Sequence, residues 1–135
     1  QFYDKSFMSN RETSITEVIA RSVVDSASML DVKAIVAATM SGYSARKISN
    51  LKPNSLILAT CPTPSVARSL ALNWGVYTKV VNVYDSTDEI VADAKVKATE
   101  FLNLSNGDII VITGGFPNNS TTKKTNFMKI EEIAS

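Results

Sequence analysis

Ala34-Ile-Val-Ala-Ala-Thr-Met-Ser-Gly-Tyr-Ser44 decides the architecture of this chain. Its first five residues are uninterruptedly apolar, which suits a strand buried on both faces. Thr39 to Ser44 then read as a turn, and a helical pattern over 43–50 starts straight after it, with Ala45 and Ile48 inward. Small hydroxyls and one glycine at a strand-to-helix turn suit an anion. Backbone N–H groups at a helix start lack intrahelical partners and carry partial positive charge. Gly42 lets the backbone approach a ligand closely, and Thr39, Ser41 and Ser44 carry O–H donors. The candidate phosphate-binding residues are therefore Thr39, Ser41, Gly42, Tyr43 and Ser44. The same residues also suit an ordinary turn in which Ser41 or Ser44 only caps the helix.

Upstream, Ser14-Ile-Thr-Glu17 has the form of a capping box. Ile15, Val18, Ile19, Val23, Ala27 and Leu30 follow at helical spacing, predicting a helix over 14–30 and then a strand over 33–39. Downstream, Lys52-Pro-Asn54 breaks the chain before a second strand, Leu56–Thr60. Thr63 before Pro64 opens a helix over 64–73, which Gly75 closes. A third strand spans Val76–Val83, and Ser86-Thr-Asp-Glu89 is a second capping box opening a helix over 87–103. Asn106-Gly107 turns into the fourth strand, Asp108–Thr113; Gly114–Lys124 reads as a loop, and Thr125–Ile130 as a fifth strand.

Short apolar strands alternating with amphipathic helices imply an α/β fold with a parallel sheet covered on both faces, a three-layer α/β/α sandwich. The last strand follows no helix and should run antiparallel at an edge. With right-handed crossovers the expected order is 3-2-1-4-5, which reverses between the first and fourth strands. Ligands of open α/β sheets bind outside the carboxyl ends of strands at such a reversal. The second loop leaving that rim ends in Pro117, Asn118, Asn119, Ser120, Thr121, Thr122, Lys123 and Lys124. Its hydroxyls and two ammonium groups could face the turn at Thr39–Ser44 across one crevice. The two lysines also suit a plain solvated pair.

The length of 135 residues fits one domain, and a net charge of +1 leaves no polybasic footprint for nucleic acid or a membrane surface. No apolar run approaches the ~18 residues of a membrane span. The single cysteine, Cys61, excludes an internal disulfide and a multi-cysteine metal site, and points to a reducing compartment such as the cytoplasm. The absence of histidine removes Ser-His and Cys-His catalysis. No P-loop or Gly-x-Gly-x-x-Gly fingerprint is present. The chain begins with Gln rather than Met, and Gln1–Thr13, with Phe2, Tyr3 and Phe7, reads as an arm that packs on something. Cys61 is expected to be a buried hydrophobe, Trp74 to pack at a helix end, and Arg46 to lie on the surface.

In order and spacing the chain resembles the C-terminal domain of pyruvate kinase. The match is carried by Ser14-Ile-Thr-Glu17, Lys33–Arg46, Leu72-Asn-Trp-Gly-Val-Tyr77, Ser86-Thr-Asp-Glu89, Asn106–Gly115 and Thr125–Ile130. The resemblance implies residues 1–13 as a linker from a barrel domain and 14–135 as the α/β domain. Pyruvate kinases transfer a phosphoryl group from phosphoenolpyruvate to ADP with Mg²⁺ and usually K⁺. Their catalytic groups sit in a TIM barrel outside these residues, so this chain is expected to hold no catalytic residue, metal or cofactor and to be inactive alone. It would serve as a regulatory domain binding a phosphorylated sugar or nucleotide, and as an assembly domain of a tetramer. In the family the loop matching Thr39, Ser41, Gly42 and Ser44 holds one phosphate, and the loop matching Gly114–Thr125 closes over the ligand. This sequence departs from the family in two places. Pro117–Lys124 contains no glycine, and Asn82-Val-Tyr-Asp-Ser-Thr87 lacks the Trp and Arg that hold a second phosphate in some members. A monophosphate is therefore expected at least as readily as a bisphosphate.

Overall fold

The apolar start of the deciding stretch forms β1 (Ala34–Ala38), and all five of its residues are buried. A computed structural model describes residues 11–84, 86–117 and 124–134. β1 lies between two parallel neighbours, β2 (Leu56–Cys61) and β4 (Ile109–Pro117). β3 (Val76–Val80) extends the sheet in parallel beyond β2, and β5 (Lys124–Glu132) pairs antiparallel with β4. The order is β3-β2-β1-β4-β5, as the pattern of elements predicts.

Period-two alternation sends side chains of the central strands to opposite faces. Ile35, Ala37, Ile57, Ala59 and Val111 pack beneath α1 (Arg11–Leu30), α2 (Tyr43–Asn50) and α3 (Pro64–Leu70). Val36, Leu58, Ile110 and Ile112 face α4 (Thr87–Leu102), which contributes Ile90, Ala94 and Ala98. Caps fix the helix starts. Thr63 accepts from the Val66 N–H at 3.3 Å with Pro64 at the first helical position, and Ser86 accepts from the Glu89 N–H at 3.2 Å.

Several boundaries differ from the expected ones. α1 already begins at Arg11, so Ser14 lies inside the helix and does not cap it. No proline or glycine in Arg11–Thr13 stops the helix from extending that way. α3 ends at Leu70 rather than at 73. The Asn73 side-chain amide donates to the Leu70 and Ser69 carbonyls at 3.3 and 3.4 Å, taking the final acceptors of the helix. Gly75 then turns the chain into β3 with φ +64. β3 stops at Val80, three residues short of the expected end, and Val81 N–H gives Cys61 O one last bond at 2.8 Å.

The largest difference is beyond Thr113. Gly114–Pro117 continue β4 instead of opening a loop, and Pro117 pairs with Lys124. A glycine is tolerated there because the space is closed to a side chain. A Cβ on Gly114 would lie 3.1 Å from both the Cβ and the carbonyl oxygen of Ala38. Gly114→Ala should therefore lower stability by ~1–3 kcal/mol through overpacking, read as a lower urea midpoint at unchanged m-value.

Candidate functional site

β1 hands over to α2 through a turn held by its own side chains. Thr39 N–H closes the ladder on Thr60 O at 2.9 Å, and the Thr39 side chain is buried. Its Oγ1 accepts the Gly42 N–H at 2.8 Å. Gly42 stands in the left-handed region, with φ 92 and ψ −5, and is itself the N-cap without a capping side chain. Neither Ser41 nor Ser44 is the cap, because the bond that organises the turn is made from Thr39. Ser41 is exposed, with its Oγ 3.4 Å from the Tyr43 N–H. The first helical bond runs from Arg46 N–H to Gly42 O at 3.0 Å. The N–H groups of Ser44 and Ala45 precede that ladder and aim partial positive charge at the rim.

Register brings the second expected segment to the same rim. Ala38 is opposite Gly114, so β4 passes beside the start of the turn and continues outward to Pro117. Ser44, Thr113 and Gly114 share a cleft with Thr16 and Ile19 of α1. Thr113 Oγ1 donates to Phe127 O at 2.8 Å and ties β4 to β5 there. Of the eight expected loop residues, Asn118, Asn119, Ser120, Thr121, Thr122 and Lys123 lie outside the described residues. Pro117 and Lys124 are strand ends facing each other in the ladder.

Reading the whole-chain balance alone missed an acid-free stretch, in which Arg46 and Lys47 follow the turn while Lys33 and Lys52 lie at the amino ends of the strands. Between Val32 and Tyr84 the sequence holds Lys33, Arg46, Lys47, Lys52, Arg68 and Lys79 and no aspartate or glutamate. A windowed charge count would have found it. Lys47 is engaged by Glu17 of α1 at 2.9 Å, and that hydrogen bond holds its ammonium pKa above the usual value. Arg46 makes no ion pair with a described residue. Its Nη1 lies 2.9 Å from where a Cβ on Gly42 would stand, so the guanidinium covers the glycine.

A family model described as the pyruvate kinase alpha/beta domain matches residues 17–131. The chain belongs to this pyruvate kinase domain family. It is 43% identical over 139 aligned residues to a pyruvate kinase of Staphylococcus aureus, covering 97% of this chain and 24% of that one. A pyruvate kinase of Clostridium perfringens is 44% identical over 117 residues, covering 87% of this chain and 24% of the relative. A solved pyruvate kinase of Cryptosporidium parvum in complex with ADP superposes with a TM-score of 0.76 at 32% identity, covering 87% of this chain and 23% of that one. The chain thus spans about a quarter of the length of the relatives it matches.

In this pyruvate kinase domain the connection after β3 sits close to the turn. Thr39, Met40, Thr60, Asn82, Tyr84 and Ile90 line one small cavity between them. The Tyr84 hydroxyl donates to Asp93 of α4, whose other oxygen accepts from Lys97 at 3.0 Å. Burial, then the hydrogen bond and charge of Asp93, push the Tyr84 phenol well above the ordinary tyrosine range. Cys61 is buried in the same wall, and burial pushes its thiol up, as expected of a packed cysteine rather than a nucleophile. Trp74 departs from expectation. It is 59% exposed and lies at the opposite, amino end of the strands, with Lys52 Nζ 5.9 Å from the ring centroid. Among the described residues no group of three or more His, Cys, Asp or Glu is arranged to hold a metal ion, and no helix is long and apolar enough to cross a membrane.

Two outcomes follow from these contacts. Thr39→Ala should cost ~1–2 kcal/mol by removing the acceptor of the Gly42 N–H, and Thr39→Ser should recover most of it, both read from urea melts. The Tyr84 phenol is raised in the folded state, so its contribution is fully present below the unfolded tyrosine value of about 10 and is lost as pH rises above it. Urea melts from pH 7 upward should show that alkaline decline, and Tyr84→Phe should make it shallower.

Proposed function

We propose that this chain is the regulatory and assembly domain of a pyruvate kinase and that it takes the phosphate of a sugar phosphate or nucleotide at Thr39–Ser44. In the full-length cytoplasmic enzyme, phosphoryl transfer from phosphoenolpyruvate to ADP, with Mg²⁺ and K⁺, belongs to the part outside these residues. This chain by itself should show no turnover.

The observation that carries the reading is the register Ala38 opposite Gly114, which supports a shared rim for the turn and the β4–β5 hairpin. Three features favour an anion there. The N–H groups of Ser44 and Ala45 stand ahead of the helix ladder. The Thr39 oxygen already accepts a bond, which leaves its O–H free to donate. Arg46 adds unpaired charge beside Gly42. Each charge-assisted hydrogen bond to a phosphate is worth roughly 1.5–3 kcal/mol. Selectivity for a monophosphate is supported by the connection after β3, where Tyr84 is engaged by Asp93 and no arginine stands. Lys123 and Lys124 are the cations left to meet a second phosphate.

Regulation then requires the ligand to bind one subunit arrangement better than another. The hairpin offers a route, because among the described residues β5 is also an open sheet edge that pairs only with β4. That edge favours a second reading, an assembly domain with no effector, in which β5 meets its twin across a two-fold axis.

Thermal unfolding tests the effector reading. Fructose 1,6-bisphosphate, ribose 5-phosphate, glucose 6-phosphate and AMP are each added at millimolar concentration. At 100-fold excess over Kd a bound ligand adds ~2.7 kcal/mol, and Ser44→Ala should reduce that shift. If none of the four moves the melting temperature, the effector reading falls. Sedimentation equilibrium decides the assembly reading: a strict monomer at high concentration removes it for this chain.

A further inference from the structure

Asn106-Gly107 is the one Asn-Gly pair in the chain, and it lies on the connection from α4 into β4. Both residues are exposed. An asparagine followed by glycine is the context most prone to lose its side-chain amide, because glycine leaves the next backbone nitrogen unshielded and free to rotate. Gly107 has φ +94, and a Cβ placed on it would meet nothing within 4 Å. The space beside that nitrogen is therefore open, and a ring has room to close there.

One bond opposes the reaction. Gly107 N–H donates to Ile133 O at 2.7 Å, and Ile133 N–H donates in return to Asp108 O at 2.7 Å. Ile133 is only 7% exposed and belongs to the same core cluster as Ala98 and Ile110. The residue that follows β5 is thus fastened to the turn by two bonds and a buried side chain. Within the turn, Ser105 N–H donates to the Asp108 carboxylate at 2.8 Å and Asp108 N–H to Ser105 O at 3.0 Å. A backbone amide held in this way keeps its proton until the segment opens, as in hydrogen exchange.

We propose that Asn106 converts spontaneously to isoaspartate, that the Gly107–Ile133 bond gates the reaction, and that the product releases the end of β5. In the first step Gly107 N loses its proton and attacks Asn106 Cγ. The Cγ–N bond forms, the Cγ–Nδ2 bond breaks, and the side-chain nitrogen leaves as ammonia with that proton. Water then opens the cyclic imide. Addition at Cγ gives aspartate on an unchanged main chain. Addition at the Asn106 carbonyl carbon gives isoaspartate, whose main chain runs through Cβ and Cγ. Nothing is oxidised or reduced: water is consumed and ammonia released.

The isoaspartate form cannot keep the contacts of the turn. Its added main-chain carbon displaces Gly107 N–H from Ile133 O. Its new carboxylate stands two residues from Asp108, whose own carboxylate is committed to Ser105 N–H, and like charges that close repel. Ile133 then loses the bond that seats it, and the last ladder pair, Ile109 with Glu132, becomes a frayed end. The edge concerned is the one the assembly reading uses, but the inference rests neither on that reading nor on a bound effector.

The test holds the purified chain in warm, mildly alkaline buffer and follows its asparagines by peptide mapping, with fragmentation that tells isoaspartate from aspartate. Asn54, exposed and followed by Ser55, is the internal comparison. In unfolding urea Asn106 should convert ahead of Asn54. Its rate in Ile133→Ala and in urea should exceed the native rate roughly tenfold or more. No conversion at Asn106 in urea, or none faster than at Asn54 there, overturns the site. Equal rates at Asn106 in the native chain, in Ile133→Ala and in urea overturn the gate.

If Ile133→Ala does not fold, a series in mild urea replaces it. The Asn106 rate should rise in step with hydrogen exchange at the Gly107 amide, and a flat rate while that exchange quickens overturns the gate. Release is read on the isoaspartate form after chromatographic separation. Exchange at the Ile133 amide should quicken roughly tenfold over the native chain and less in Asn106→Asp, which has the charge but not the longer main chain. Unchanged exchange at Ile133 overturns the release, and equal quickening in Asn106→Asp overturns the longer main chain as its cause.

Discussion

The close parallel approach of β1 to β4 is the constraint from which the rest of the molecule follows. It is made by small residues, Ala38 against Gly114, where no larger side chain fits. That contact sets the register of the central pair, and the register sets what leaves the sheet at its carboxyl rim. On one side the chain turns sharply into α2. On the other it continues as a hairpin arm. A side chain at Gly114 would press on Ala38 at 3.1 Å and push on the contact that joins the two segments.

At the rim, preorganisation rather than charge alone distinguishes the turn from an ordinary one. A buried hydroxyl, Thr39, holds a left-handed glycine in place before any ligand arrives. The helix N–H groups are thereby oriented at no cost at the moment of binding. Lys47 is tied to α1 through Glu17, which braces α2 against α1, while Arg46 on the next position stays uncommitted. Neighbouring cations on one helix thus have separate duties, one structural and one available to an anion.

The two open edges of the sheet differ in chemistry. β5 is charged and cross-linked to α4 through Glu131, whose carboxyl lies below its usual range because Lys95 and Lys129 outweigh its burial. β3 exposes Tyr77, Lys79 and Val80, and Trp74 stands exposed just before it. The exposed Lys79 on that edge disfavours pairing with another strand.

Local chemistry was legible in the residues themselves. Periodicity set the element types, the uninterrupted apolar strands implied a parallel sheet, and the missing helix before the last strand implied its antiparallel sense. Ser86 and Thr63 announced their caps because capping depends on three or four consecutive residues. What depended on distant partners was not legible. Gly114–Pro117 resembled a loop because nothing local shows that β5 will pair with them. Trp74 was expected to pack at a helix end, and only the folded chain shows it left in solvent just before the edge strand β3. Ser41 and Ser44 resembled caps, but the N-cap is Gly42, with no capping side chain and its N–H bonded to Thr39. Sequence alone determined which segments are strands and helices, since those follow from propensity and period, and crossover handedness narrowed the strand orders without fixing one. Tertiary structure decided which groups are already spent on one another and which remain free, since that depends on register and on which neighbour each edge does or does not have.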